Sequence, residues 1–72
     1  MSDPDPERLV GELAYVTTRI RGPNQPGEVQ VVQGGRTESF IAYGDEPIER
    51  GQQVLIVARR PGRALDVIFF AG

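Results

Sequence analysis

The sequence predicts an all-β domain, a small five-stranded closed barrel, and three observations carry that expectation. The chain has 72 residues, enough for one domain. Its apolar residues fall in short stretches rich in Val, Ile, Tyr and Phe, each bounded by Gly, Pro, Asn or Asp. None of these stretches reads as a helix. A barrel is expected over an open sheet, because a sheet this small would expose one face and two pairing edges. Burying a large aliphatic side chain contributes about 1.5–3 kcal/mol and ordering a residue costs about 1.5 kcal/mol, so nearly every apolar residue is needed in one core.

Ser2-Asp3-Pro4-Asp5-Pro6-Glu7 has two prolines, three acids and no apolar residue. Residues 1–8 therefore read as a disordered acidic leader or linker end, and residues 9–72 as the barrel domain. Leu9 to Ile20 reads as a long first strand, with Val10, Ala14, Val16 and Thr18 on one face and Leu13, Tyr15 and Thr17 on the other. Such a strand can bend and pair at both ends. Arg21-Gly22-Pro23-Asn24-Gln25-Pro26-Gly27 is dense in turn formers and ends it.

Glu28 to Val32 is the expected second strand, with Val29 and Val31 facing inward. Gly34-Gly35 then marks a two-residue hairpin, since primed turns need positive φ. Arg36 to Tyr43 forms the third strand, Phe40 and Ala42 on one face and Ile41 and Tyr43 on the other. The connection Gly44 to Gly51 is too short for more than one helical turn. Gln53 to Ala58 is almost wholly apolar and is expected to be buried on both faces. Arg60-Pro61-Gly62-Arg63 has the type II turn pattern, and Ala64 to Phe70 follows as the fifth strand. If Phe69 joins Leu65 and Val67 inside, Ile68 and Phe70 lie outside.

The missing residue types exclude several chemistries. There is no Cys, His, Trp or Lys, and all eight cations are Arg. Disulfides, thiolate nucleophiles, imidazole acid–base chemistry and ordinary zinc sites are thereby excluded. So are Schiff bases and a Walker-type phosphate lysine. No apolar run exceeds five residues, so the chain holds neither a membrane-spanning helix nor a signal-peptide core and reads as soluble. The net charge of -2 is uneven. Asp3, Asp5 and Glu7 stand without a cation, whereas Arg8 to Gly72 holds eight Arg against seven acids. The barrel is slightly basic behind an acidic leader.

Read in order, six stretches resemble the soluble C-terminal OB-fold domain of the NfeD family, membrane-associated partners of stomatin- and flotillin-like proteins. They are Gly11-Glu12-Leu13-Ala14, Thr17-Thr18 before a loop, Gly27-Glu28-Val29, Phe40-Ile41-Ala42-Tyr43, Glu46-Pro47-Ile48-Glu49-Arg50-Gly51-Gln52-Gln53-Val54 and Leu65-Asp66-Val67. The resemblance runs from Val10 to Ile68, and Pro-Ile-x-x-Gly-x-x-Val is its most telling element. It implies a five-stranded barrel whose helix between strands three and four is reduced or absent. It also implies a domain that follows transmembrane helices and, in longer members, a serine protease domain. This chain contains neither, so it is similar to a short or truncated form, and protease activity carries over to no residue here.

The expected candidate surface comprises Arg59, Arg60 and Arg63 around the last turn, with Ile68 and Phe70 on the final strand. No catalytic, cofactor-binding or metal-ligating residue is expected. Tyr15, Tyr43 and Phe40 read as packing residues before stacking platforms, and Asp45, Glu46 and Glu49 as a solvated loop before a cation site. The function expected from resemblance is a non-enzymatic interaction or scaffold module, partnering a stomatin- or flotillin-like protein at the cytoplasmic face of a membrane, with self-association as a second mode. The alternative is a weak single-stranded nucleic-acid-binding barrel using the three arginines.

Overall fold

A computed structural model describes residues 9–71. The leader expected over residues 1–8 lies outside the described residues. Five strands form: β1 (Leu13–Thr18), β2 (Gly27–Gln33), β3 (Arg36–Tyr43), β4 (Gln53–Arg60) and β5 (Ala64–Phe69). They close in the order β1-β2-β3-β5-β4, with β1 pairing both β2 and β4. Only β3 and β5 run parallel. Both hairpin turns therefore lie at one end of the barrel, and the Gly44–Gly51 connection lies at the other. That connection contains no helix.

Local chemistry sets the strand ends. Gly34 and Gly35, at φ 56° and 78°, supply the left-handed turn that joins β2 to β3. The first strand is shorter than its expected span from Leu9 to Ile20. Gly11 turns the chain with φ 93°, and its N–H donates to the Ile56 carbonyl at 2.7 Å. This places Leu9, rather than Val10, in the core. Further on, Val16 pairs with Val29 but Thr18 pairs with Glu28, leaving Thr17 as an extra bulge residue. Thr18 consequently points outward, against the expected alternation. Ile20 returns to the core through a two-way backbone bridge with Ile48, both bonds at 2.9 Å.

The core consists of Leu9, Ala14, Val16, Ile20, Val29, Val31, Phe40, Ala42, Ile48, Val54, Ile56, Leu65 and Val67. Along β2 to β5 these residues follow the period of two that a barrel interior requires. Leu9 plugs the hairpin end beside Val31 and Phe40, while Ile20 and Ile48 fill the other. Two expectations need correction. Only Val54 and Ile56 of the apolar run in β4 are buried; Leu55 is half-buried and Val57, the extra residue of a second bulge, is exposed. Phe69 does not join Leu65 and Val67 inside. It shares their side of β5 but extends past the barrel end beside Asp45, Glu46 and Ile48, and remains 48% exposed.

Candidate functional site

The β4–β5 turn brings the arginines near one another without leaving them all open. Arg60 donates from Nε to Asp66 Oδ1 at 2.8 Å, and its guanidinium lies 3.8 Å from the centre of the Tyr43 ring. Arg63 lies 4.5 Å from the centre of the Phe40 ring and donates from Nη2 to Ser39 O at 3.1 Å and to Glu38 Oε1 at 3.3 Å. These two side chains are struts that fasten the turn to β3. Each contact is modest, since exposed ion pairs contribute about 0.2–1 kcal/mol and exposed cation–π contacts about 0.5–1 kcal/mol. Taken together they orient both guanidinium groups toward β3 and β5, using Nε of Arg60 and Nη2 of Arg63 among the five donors each group carries. Arg59, the third, is exposed and in register with Leu65.

Ile68 belongs to a different surface. In the register of the barrel Leu13 pairs with Leu55 and Leu55 pairs with Ile68, which sets three aliphatic side chains in one row across the outside of β1, β4 and β5. Strands lie about 4.8 Å apart, so the row spans about 10 Å. Leu13 is 37% and Ile68 50% exposed. The next row holds Tyr15 and Gln53, joined by a bond from Gln53 Nε2 to the Tyr15 hydroxyl at 3.4 Å. Phe70 continues it, its N–H donating to the Gln53 carbonyl at 3.0 Å. On the other side of the aliphatic row stands the exposed bulge residue Val57.

Of the five residues expected to form one surface, the structure places Arg59, Arg60 and Arg63 at the hairpin end, Phe70 toward the opposite end and Ile68 between them. Leu13, Leu55 and Val57 join Ile68 and were missed. The signal for them was present in the sequence: a closed barrel has one interior, so a strand reading Val54-Leu55-Ile56-Val57 must turn two of the four outward. The acidic connection does not gather its carboxylates. Glu49 pairs with Arg19 at 3.3 Å, and among the described residues no three His, Cys, Asp or Glu side chains are placed to hold a metal.

The sequence model described as the NfeD C-terminal domain matches residues 13–68, from the first residue of β1 to the penultimate residue of β5. The chain belongs to the NfeD C-terminal domain family. Among solved structures, this NfeD domain is similar to the soluble domain of the NfeD protein YuaF from Bacillus subtilis, with TM-score 0.82 and 28% identity over 93% of this chain and 80% of that one. It is also similar to the C-terminal domain of stomatin operon partner protein 1510-C from Pyrococcus horikoshii, with TM-score 0.69 and 25% identity over 92% and 94% of the two chains. No curated protein sequence matches. Among the described residues, no helix of this NfeD domain is long and apolar enough to cross a membrane.

Proposed function

We propose that this NfeD domain is a non-enzymatic protein-interaction module whose docking face is the row Leu13, Leu55 and Ile68, flanked by Tyr15, Val57 and Phe70. The observation that carries the reading is the row itself: three aliphatic side chains aligned across three strands on the outside of a domain that has few to spare. Covering a half-exposed aliphatic side chain contributes about 1 kcal/mol, half the value for complete burial. A partner gains that at several adjacent positions, with Asp45, Arg60 and Asp66 bordering the face beside Val57 and Ile68. The description of one similar protein as a stomatin operon partner supports a stomatin-like protein as the partner.

The test is calorimetric titration of the domain with a stomatin-like protein from the same organism, comparing Ile68→Asp, Leu55→Ser and Phe70→Asp with charge reversals at Arg59 and Arg60. The apolar-face variants are expected to weaken binding at least tenfold and the reversals to leave it within about threefold, because hot spots cluster in desolvated apolar centres. Binding that survives all three apolar-face changes would sink the reading. Against the nucleic-acid alternative stand the contacts of Arg60 with Asp66 and Tyr43 and of Arg63 with Glu38 and Phe40, which offset the charge of two of its three arginines. A titration with single-stranded oligonucleotides at low and high salt is expected to show no salt-dependent binding.

A further inference from the structure

The hairpin end of the barrel carries an unpaired strand edge that the docking face does not use. β3 pairs with β2 from Arg36 to Ala42, but meets β5 first at Ile41. In a two-residue hairpin the flanking residues, here Gln33 and Arg36, exchange both backbone bonds. Counting along β3, Arg36, Glu38, Phe40 and Ala42 therefore turn their N–H and C=O toward β2, while Thr37, Ser39 and Ile41 turn theirs to the opposite edge. Two bonds fix that direction independently: Ile41 N–H donates to the Arg63 carbonyl at 2.8 Å, and Arg63 Nη2 donates to the Ser39 carbonyl at 3.1 Å.

Beyond Arg63 no strand among the described residues covers the edge, and none pairs with β3 on this side before Ile41. Thr37 N–H, Thr37 C=O and Ser39 N–H therefore face out from the sheet, and both residues are exposed. Below this edge, on the inner side of the hairpin, lies a cavity of about 190 Å³ floored by Leu9, Val31 and Phe40 and walled by Gln33, Arg36 and Glu38. An apolar cavity of roughly 150 Å³ holds a benzene molecule, so this one takes a single Leu or Phe side chain. Among the described residues its rim is cationic by one charge. Arg36 and Arg63 share the one carboxylate of Glu38, at 3.8 Å and 3.3 Å.

The geometry points to the free edge of β3 as a docking site for an extended peptide that pairs along Thr37–Ser39, places one apolar side chain in the Leu9–Val31–Phe40 cavity, and sets a carboxylate two residues away against Arg36. The occupant follows from the groups on offer. Main-chain donors and an acceptor at strand spacing suit an extended backbone, whereas a helix has already satisfied its own. Residues two apart on a strand share a face about 6.8 Å apart, which carries the carboxylate from the cavity to the rim. One surplus positive charge suits a carboxylate and is too little for a polyanion. The site shares no residue with the row Leu13, Leu55 and Ile68, so it stands or falls separately from the proposed docking face.

The experiment titrates the peptide acetyl-Ser-Asp-Thr-Leu-Thr-Asp-Ser-amide into the ¹⁵N-labelled chain and follows backbone amide shifts. This sequence puts Leu and both Asp on one face in either strand direction. Saturable shifts at Thr37, Ser39 and Phe40 with Kd at or below about 1 mM are expected. N-methylating alternate amides of the peptide should weaken binding at least tenfold in one phase and leave it nearly unchanged in the other. Thr37→Pro removes an N–H that faces away from β2, so it should abolish binding while the remaining amide spectrum persists. Arg36→Glu should weaken binding severalfold. Absence of saturable shifts up to about 5 mM, shifts centred on Leu55 and Ile68, or equal binding by both N-methyl phases overturns the proposal.

Discussion

Gly27→Ala and Gly44→Ala should change stability in opposite directions, although both glycines are buried and neither has positive φ. Gly27 opens β2 opposite the bulge of β1, and an added Cβ falls inside van der Waals contact of the Thr18 and Arg19 carbonyl oxygens, with the Arg19 carbonyl carbon at 2.7 Å. These are backbone atoms, held by the barrel, so they cannot rotate away. Overpacking costs about 1–3 kcal/mol in ordinary cores, and this site belongs at the upper end of that range. A domain of this size shifts its Tm by about 4–8 °C per kcal/mol, so Gly27→Ala should lower Tm by about 12–24 °C. Total stability is about 0.05–0.15 kcal/mol per residue, so the change removes a large share of it. At Gly44 the same Cβ would meet Ile20 Cγ2, Ile48 Cδ1 and the Val67 carbonyl oxygen at 3.5 Å, ordinary contact distance. Gly44→Ala should therefore stabilise by about 0.4–1 kcal/mol, mainly by restricting the unfolded chain. Thermal unfolding followed by circular dichroism measures both. A Gly27→Ala variant melting within about 3 °C of the parent, where the overpacking cost predicts far more, would refute the steric argument.

Three further outcomes are expected. Ile56→Ala removes a side chain with no exposure at all and should cost about 2–5 kcal/mol in urea unfolding, with m unchanged. Gly34→Asn keeps a residue type that tolerates the φ of 56° and gives the favoured Asn-Gly turn; it should raise stability by a few tenths of a kcal/mol up to about 1 kcal/mol, whereas Gly34→Val should destabilise. A double-mutant cycle on Arg60→Ala and Asp66→Ala should give a coupling below about 1 kcal/mol that shrinks with added salt, because both side chains are partly solvated. A coupling of several kcal/mol would mean that the pair is far better shielded than its exposure shows.

Strand identity was legible because turn chemistry punctuates the chain. Gly34-Gly35 fixed the register of Gln33 with Arg36, and β3 occupies its expected span from Arg36 to Tyr43. Closure and the lack of a full helix in the connection were legible too, one from the need to remove edges and the other from the brevity of Gly44 to Gly51. The first strand was less so. Its apolar residues continue through Leu9 and Val10, and no propensity rule shows that Gly11 turns the chain there or that Thr17 is skipped by the pairing. Gly27 read as a turn former, but it is required for space beside Thr18 and Arg19. The Arg60 and Arg63 contacts were unreadable for a related reason: their partners Tyr43, Phe40 and Glu38 lie on β3, which meets β5 only through a parallel register that no local pattern specifies.

The burial of β4 bears directly on the interaction reading. A strand apolar on both faces belongs in a sheet covered on both sides, yet a barrel covers one side only. Closure and two-sided burial can both hold for β4 only if something outside the domain covers its outer face. The structure leaves Leu55 half-buried between Leu13 and Ile68, so the outward half of the apolar run is aligned with neighbours of the same kind on both flanking strands. Scattered exposed aliphatics need no explanation, but a row aligned across three strands means that three separate chain segments place apolar residues at one position. At the hairpin end the reverse holds, where Arg60 and Arg63 turn their charge back onto Asp66 and Glu38. Arg60 and Arg63 make contacts within the domain, whereas Leu55 and Val57, which looked committed to the core, lie outside it beside Ile68. An interaction surface on this domain is therefore to be sought along β1, β4 and β5 before it is sought among the arginines.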